Sequence, residues 1–360
     1  MRLAHIDRMR AIAVLCMVEV HTAAILPPEG VSVGHPAAFV AAAFGGMAAP
    51  MFVTISGWGM YSSAIRRQER KPRSVDDWAR WIFPRLLILT ACQILVNVLL
   101  NSDRGGRFEW DTPGVLTLLA VASIMTPALA NLSLRTRGLT LVLAMLSPIA
   151  IGDYSGADWT WWERISSNGI GQWLERLLLN GTYPALPWIS FVLLGTLIHD
   201  LQENHKAREG LIVVGFIFTS ISISYSIITG NEWALTEGDA VLTFFPANTP
   251  FLIVSSTFVL LAQRCLEGSE SSGGEPWKGG ALSFLEPAGR ITLTIYVAHF
   301  ALLGLVAFLM QGEPRLGIVP AFAVTIGHTL MWIPLAKAHQ EFIPEISFEE
   351  LLRKMTQSSR

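Results

Sequence analysis

Asp7-Arg-Met-Arg-Ala-Ile-Ala-Val-Leu-Cys-Met-Val-Glu-Val-His21 is apolar enough to enter a bilayer, yet it carries ionisable side chains along its length. At 3.6 residues per turn Arg10, Val14, Met17 and His21 share one stripe, with Arg10 and His21 about 16 Å apart along the axis. Glu19 falls on the opposite side of the helix from His21. A charged side chain at the centre of a bilayer costs roughly 2.5–3.5 kcal/mol on insertion scales, so such residues face a bundle interior or a wet cavity and mark a functional site, unless they are a satisfied structural pair.

The rest of the chain shares this apolar character. Its 360 residues are 51% hydrophobic and only 15% charged, with a mean hydropathy of +0.45. That composition excludes an ordinary soluble domain and gives no support to nucleic-acid binding, while a net charge of −2 says little about partners. Cys16, Cys92 and Cys265 all lie in or at the end of apolar segments, an arrangement that supplies neither a disulfide framework nor a CxxC metal site. HExxH or similar spacing is also missing, and no metal is expected. The first segment lacks a small-residue cleavage site before Pro27-Pro28 and reads as a retained anchor rather than a secretory signal.

Runs long enough to cross about 30 Å of hydrocarbon occur near residues 9–27, 37–63, 81–100, 113–130, 138–152, 185–200, 210–229, 249–265, 290–310 and 316–337. They predict an all-α polytopic bundle of about ten transmembrane helices. The 138–152 run contains Pro148 and is either kinked or re-entrant. Loop 64–80 carries Arg66, Arg67, Arg70, Lys71, Arg73 and Arg80. Arg135, Arg137, Lys206, Arg208, Arg264 and Lys278 fall in loops on the same side, which places that side and both termini in the cytoplasm. The stretches 28–36, 101–112, 153–184, 230–248 and 311–315 then face outward. Trp159, Trp161, Trp162, Trp173 and Trp188 read as an interfacial belt, and 161–179 as an amphipathic helix on the outer face or a lid over a cavity. Residues 267–280 have the composition of a linker. The chain divides into a transmembrane domain over 1–340 and a short cytoplasmic tail over 341–360.

With this topology the depths of three histidines converge. His21 lies about 16 Å above Arg10, His299 about nine residues beyond Arg290, and His328 about nine residues from Lys337. Neutral imidazole is suited to taking and giving a proton near neutral pH. Below that layer lie Arg10, Arg85 and Arg290, whose planar forks suit phosphate, although the positive-inside rule accounts for many basic residues without a ligand. In Ala49-Pro-Met-Phe-Val-Thr-Ile-Ser-Gly57 the Pro and Gly permit either an opened backbone lining a cavity or simple close helix packing.

At these residues the sequence resembles the transmembrane acyltransferases: the acyltransferase-3 group and, more closely, the heparan-α-glucosaminide N-acetyltransferase-like group. Ile6-Asp7-Arg-Met-Arg10 followed by ten residues and His21 resembles the Arg–ten residues–His pattern of the first group. Ala49 to Gly57 is similar to its Ser-Gly helix, and Trp81-Ile-Phe-Pro-Arg85 to its Arg-containing third helix. Tyr183-Pro-Ala-Leu-Pro-Trp-Ile-Ser-Phe-Val-Leu-Leu-Gly195, Phe245-Pro246, and Ala288-Gly-Arg-Ile-Thr-Leu-Thr-Ile-Tyr-Val-Ala-His299 are similar to later helices of the heparan type. Two departures stand out. Ala11 follows Arg10 where Gly is common, and the heparan-type enzymes carry Asn where His21 stands, with their histidine placed as His35 is here.

The resemblance implies a multi-pass cell-membrane O- or N-acyltransferase that moves an acyl group, commonly acetyl from acetyl-CoA, from the cytoplasmic side onto a carbohydrate or other small acceptor outside. Acyl-CoA is then a co-substrate and no bound cofactor is implied; the bilayer is the medium, and a homo-oligomer is left open. His21 is the preferred base, with His35 the alternative and Glu19 nearby. Arg10, Arg85, Ser56, Gly57 and Arg290 are the donor-binding candidates. His299 and Tyr296 are candidates for orienting the reactants. A rival from another class is a proton-coupled transporter using the same buried His and Glu residues, which would need a through-path and internal symmetry.

Overall fold

The computed structural model describes residues 3–31, 35–70, 74–271, 282–310 and 316–357. Lys71, Arg73 and Lys278, the linker residues beyond 271 and the outer stretch 311–315 lie outside the described residues. The chain divides into two compact units. The first comprises Met1–Phe52, Leu95–Phe108 and Leu261–Ser358, and the second is formed mainly by Val53–Ile94 and Glu109–Leu260. Helix makes up 79% of the structure, far above the third or so usual for globular proteins, so the class is all-α.

In chain order the helices are α1 (Ala4–Ile25), α2 (Pro36–Gly45), α3 (Ala48–Arg70), α4 (Val75–Leu99), α5 (Val115–Asn131), α6 (Leu134–Ile151), α7 (Trp161–Ile165), α8 (Gly169–Glu175), α9 (Ala185–Asp200), α10 (His205–Thr229), α11 (Thr249–Ser271), α12 (Glu286–Arg290), α13 (Thr292–Leu309), α14 (Ile318–Phe342) and α15 (Phe348–Gln357). Two short strands, β1 (Ala234–Glu237) and β2 (Leu242–Phe245), pair in parallel with Ala234 opposite Leu242.

All ten apolar runs coincide with helices. Among the described residues seven helical stretches are long and apolar enough to cross a membrane, or eight if the pair Gly169–Asn180 and Ala185–Asp200, bent by 48°, forms one span. The two remaining runs differ for physical reasons. α5 is apolar but has only 17 residues. α1 carries Asp7, Arg8, Arg10 and Glu19, and it is a buried helix rather than a lipid-facing one. α6 runs continuously to Ile151 with Pro148 in its last turn.

Within the first unit α1 packs against α2, α12, α13 and α14. Ala11, Val14, Leu15 and Val18 form a dry core with Leu285, Ala288, Ile291, Ile295 and Ala336. α12 approaches α1 so closely that a Cβ at Gly289 would overlap the Asp7 carbonyl, which is why a residue without a side chain is needed there. After α14 the chain turns back. α13 has no side-chain cap of its own at Ile291, but the Glu349 carboxylate of α15 accepts hydrogen bonds from Leu293 N (2.6 Å), Thr294 N (3.4 Å) and Thr294 Oγ1 (2.7 Å). These satisfy orphan donors of the helix start. Burial raises the Glu349 carboxyl above its usual range, partly opposed by the same hydrogen bonds.

In the second unit α9 packs against α5 and α6 and is crossed by α3 at two glycines. A Cβ at Gly57 would lie 2.6 Å from the Val192 carbonyl oxygen, and one at Gly195 would lie 2.6 Å from Trp58 N. Arg137 is buried at the start of α6, where it pairs with Asp200 and lies 4.4 Å above the Tyr61 ring. The segment 161–179 is not one amphipathic helix. It breaks between Ile165 and Gly169, where Gly169 takes φ +84°, a conformation that favours glycine. Two buried arginines hold it: Arg164 donates to the Ser155 and Asn180 carbonyls, and Arg176 donates to the Ser166 carbonyl and stacks 4.2 Å from the Trp159 ring. Burial pushes the Arg164 guanidinium down to about 10. Trp188 does not join an interfacial belt. It is fully buried at the start of α9 against Tyr183, Phe191, Phe244 and Phe251, where its ring is taken up by aromatic packing.

Candidate functional site

α1, α13 and α14 bring the three histidines of the sequence reading together in the first unit. His21 Nδ1 lies 2.9 Å from His299 Nε2, with the two rings coplanar to within 1°. His299 is fully buried, and its Nδ1 lies 3.0 Å from the Ile295 carbonyl of its own helix. A carbonyl only accepts, so His299 Nδ1 carries the hydrogen; in a neutral ring Nε2 is then a lone pair. The hydrogen shared with His21 must come from His21 Nδ1, which leaves His21 Nε2 as the free basic nitrogen. The same reasoning fixes His328. The Thr22 hydroxyl donates its one hydrogen to the Val18 carbonyl at 2.6 Å and therefore accepts from His328 Nδ1 at 2.8 Å. His328 Nε2 is left as a lone pair, buried and without a hydrogen-bond partner among the described residues.

Aromatic rings wall this layer. Phe300 lies 4.5 Å from His21 and 4.3 Å from His299, centroid to centroid. Tyr296, one turn before Phe300, meets the edge of His299 at 5.6 Å and stacks with Phe52 at 6.2 Å. Glu19 is half-buried one turn before Thr22, and its Oε2 is buried with no hydrogen-bond partner among the described residues.

The first two turns of α1 are charged and mostly paired. Arg8, which the sequence reading passed over, is 3% exposed and donates to Glu286 Oε1 through Nε (3.2 Å) and Nη2 (2.9 Å). Arg10 Nη1 lies 3.5 Å from Asp7 Oδ1. Arg290 approaches the other oxygen of Glu286 at 3.8 Å and keeps 39% of its side chain exposed. Arg8 was hidden because its partner is 278 positions away; the one local signal was a third charge beside Asp7 and Arg10 in a helix that could not expose all three faces.

The other candidates are placed separately. His35 is the N-cap of α2, its Nδ1 accepting from Ala37 N at 3.1 Å, so one ring nitrogen is committed to the helix start. In the second unit Arg85 donates to the Trp81 carbonyl at 3.1 Å and lies 4.2 Å above the Trp81 ring, over which Arg67 also sits at 5.5 Å. Ser56 is half-buried on α3, and Gly57 serves the close helix crossing with α9.

A family model described as an acyltransferase domain, that of the acyltransferase-3 group, matches residues 3–333. No curated protein matches the chain.

Proposed function

Because the chain belongs to the acyltransferase-3 family of membrane acyltransferases, we propose that it transfers an acetyl group from acetyl-CoA to the hydroxyl or amine of a carbohydrate or similar small acceptor on the far side of the cell membrane. The observation that carries this reading is the His21–His299 contact of 2.9 Å, with His299 anchored on the Ile295 carbonyl. His21 Nε2 takes the proton of the acceptor as its oxygen or nitrogen attacks the thioester carbon. The C–S bond breaks, and the CoA thiolate takes that proton back from His21. While His21 is protonated its Nδ1–H bond to His299 Nε2 strengthens, so His299 orients the base and shares its charge. General-base action of this kind contributes roughly 10²–10⁴-fold in rate.

Arg10 and Arg290, on the α1–α12 side of the first unit, are the residues we assign to the donor's phosphates and pantetheine carbonyl, since a guanidinium fork matches both. Tyr296, which meets the edge of His299, is assigned to orienting the thioester. This reading includes ten spans with both termini and loop 64–80 in the cytoplasm. Single cysteines at Ser74 and Gly156 in a Cys-free variant are then hidden from, and open to, an impermeant reagent added outside; the reverse pattern overturns the orientation. Release of free CoA from acetyl-CoA by the purified protein, with and without candidate sugars, tests the activity. His21→Ala abolishes sugar-dependent release while acetyl-CoA binding survives. Equal release by wild type and His21→Ala sinks the proposed base.

A further inference from the structure

The chain after the last span is held in place at both ends of its turn. α14 ends at Phe342, and the turn that follows is fixed: the His339 ring donates from Nε2 to the Ile346 carbonyl at 2.7 Å, and Ile346 N donates to the Ile343 carbonyl at 3.1 Å. Ser347 then caps α15, its Oγ accepting from Glu350 N at 3.0 Å. The Glu349 carboxylate ties α15 to the first turn of α13, and Phe348 N donates to Thr294 Oγ1 at 3.0 Å. α13 is long and apolar enough to cross a membrane. Its first turn therefore marks the boundary between hydrocarbon and water, and α15 lies at that boundary rather than out in solution.

This corner carries large apolar side chains on its outside. Phe342 is 79% exposed and Ile346 70%, and Ile343 and Leu351 are exposed as well, although hydrogen bonds fix the backbone that presents them. Apolar groups held outward in this way call for an apolar partner. Two observations say that the partner is lipid. Leu335, Ala338 and Phe342, at spacings of three and four, share one face of α14, and Leu335 is exposed within the membrane-spanning length of that helix. The patch therefore continues the lipid-facing surface of the span. The charges around it are balanced instead of basic: Lys337 pairs with Glu341, Arg353 with Glu350, and Lys354 with Glu345 and Glu350. Such a surface supports apolar insertion and not attraction to anionic headgroups.

We propose that α15 is a membrane-surface strap: it lies along the leaflet at which α13 begins, with Phe342, Ile343, Ile346 and Leu351 in the boundary between headgroups and acyl chains and Glu349 on the start of α13. In the orientation proposed above that leaflet is the cytoplasmic one. An interfacial helix buries its apolar side about 5–10 Å deep, within reach of these side chains at the first turn of a span. The strap has a consequence for the histidine pair. α13 carries His299 and has no side-chain cap of its own, so lipid that holds α15 in place also holds the helix start from which His299 is positioned. The inference stands without the acyltransferase reading.

The test is spin-label EPR on the full-length protein in lipid nanodiscs, with single labels at Ile346→Cys, Leu351→Cys and, as the water-facing control, the exposed Glu345→Cys. Collision with oxygen, which concentrates in lipid, is compared with collision with a water-soluble nickel chelate. At Ile346 and Leu351 the oxygen-to-nickel ratio exceeds that at Glu345 by about threefold or more, and it is the same in phosphatidylcholine alone as with added phosphatidylglycerol. Ratios equal to that at Glu345 place the patch in water and overturn the proposal. Protection from both reagents means that protein, such as a second copy of this chain, covers the patch, and also overturns it. So does a raised ratio that appears only with phosphatidylglycerol, because attachment is then electrostatic. Hydrogen exchange reads the strap itself. Phe342→Gln combined with Ile346→Gln removes lipid contact without touching the buried core, and exchange of the Leu293 and Thr294 amides becomes about tenfold faster. Exchange unchanged in that variant shows that lipid does not hold α15 and overturns the coupling to α13.

Discussion

The two ends of α1 are both buried and both polar, yet they are finished differently. At the start Arg8 is closed by Glu286 through two hydrogen bonds, and Arg10 and Arg290 lie beside Asp7 and Glu286. Near the other end every hydrogen bond made by His21, Thr22, His299 and His328 runs in a direction that leaves a lone pair open, on His21 Nε2 and His328 Nε2. The closed Arg8–Glu286 pair holds helices together; an open set of basic nitrogens can act on something else. The difference separates a buried polar residue that serves the fold from one available for chemistry, which composition and depth alone do not do.

The largest effect that could break this contrast is at Arg8. Removing one partner of a buried ion pair leaves the other uncompensated, at about 3–5 kcal/mol. With 21% of the Glu286 side chain exposed, Arg8→Ala falls at the low end, about 3 kcal/mol. Thermal unfolding in detergent checks it, and an unchanged Tm would show that the charged end is no clamp. Arg8→Lys, which keeps the charge but loses the fork, recovers part of the loss.

A smaller effect is expected at Glu349, which caps the helix that carries His299. Glu349→Ala removes three accepted hydrogen bonds and costs about 1–3 kcal/mol, read as faster proteolysis of residues 343–357. The pH dependence has a definite sign. The folded carboxyl is raised by burial, so its protonated form is the one favoured by docking. The contribution is complete below the ordinary carboxylate pKa of about 4.3 and is lost as pH rises through the higher folded value. α15 is therefore held more tightly in mild acid, and Glu349→Gln flattens the profile; a wild-type profile of opposite slope contradicts the assignment.

The smallest effect belongs to His35. Loss of its cap costs α2 about 1 kcal/mol, and His35→Ala loses far less transfer than His21→Ala does. A reversed order moves the chemistry to the start of α2.

Much of this was legible in the sequence, for local reasons. Apolar runs of spanning length are a property of consecutive residues, and each of them is helical, with the run 37–63 divided between α2 and α3. Rise per residue placed His21, His299 and His328 at one depth, and two of them touch. Partners distant in sequence were not legible. Arg8 and Glu286 are 278 residues apart, and α15 follows the last apolar run with nothing in its own sequence to name Thr294 as its target. Trp188 was assigned outward by residue type, whereas packing against Phe244 and Phe251 decided its place. Gly57, read as either cavity lining or helix packing, is accounted for by the backbone of α9.

The central claim is that His21 presents Nε2 as a free base because His299 takes its Nδ1 hydrogen. Nitrogen-15 NMR of histidine-labelled protein, with His21→Gln and His299→Gln used to assign the two rings, reads the tautomers directly. The account predicts hydrogen on Nδ1 and a bare Nε2 for both residues, with His21 losing that preference in His299→Leu, which offers no acceptor. Hydrogen on His21 Nε2 in the wild type would contradict it, because that nitrogen could not then take a proton from the acceptor.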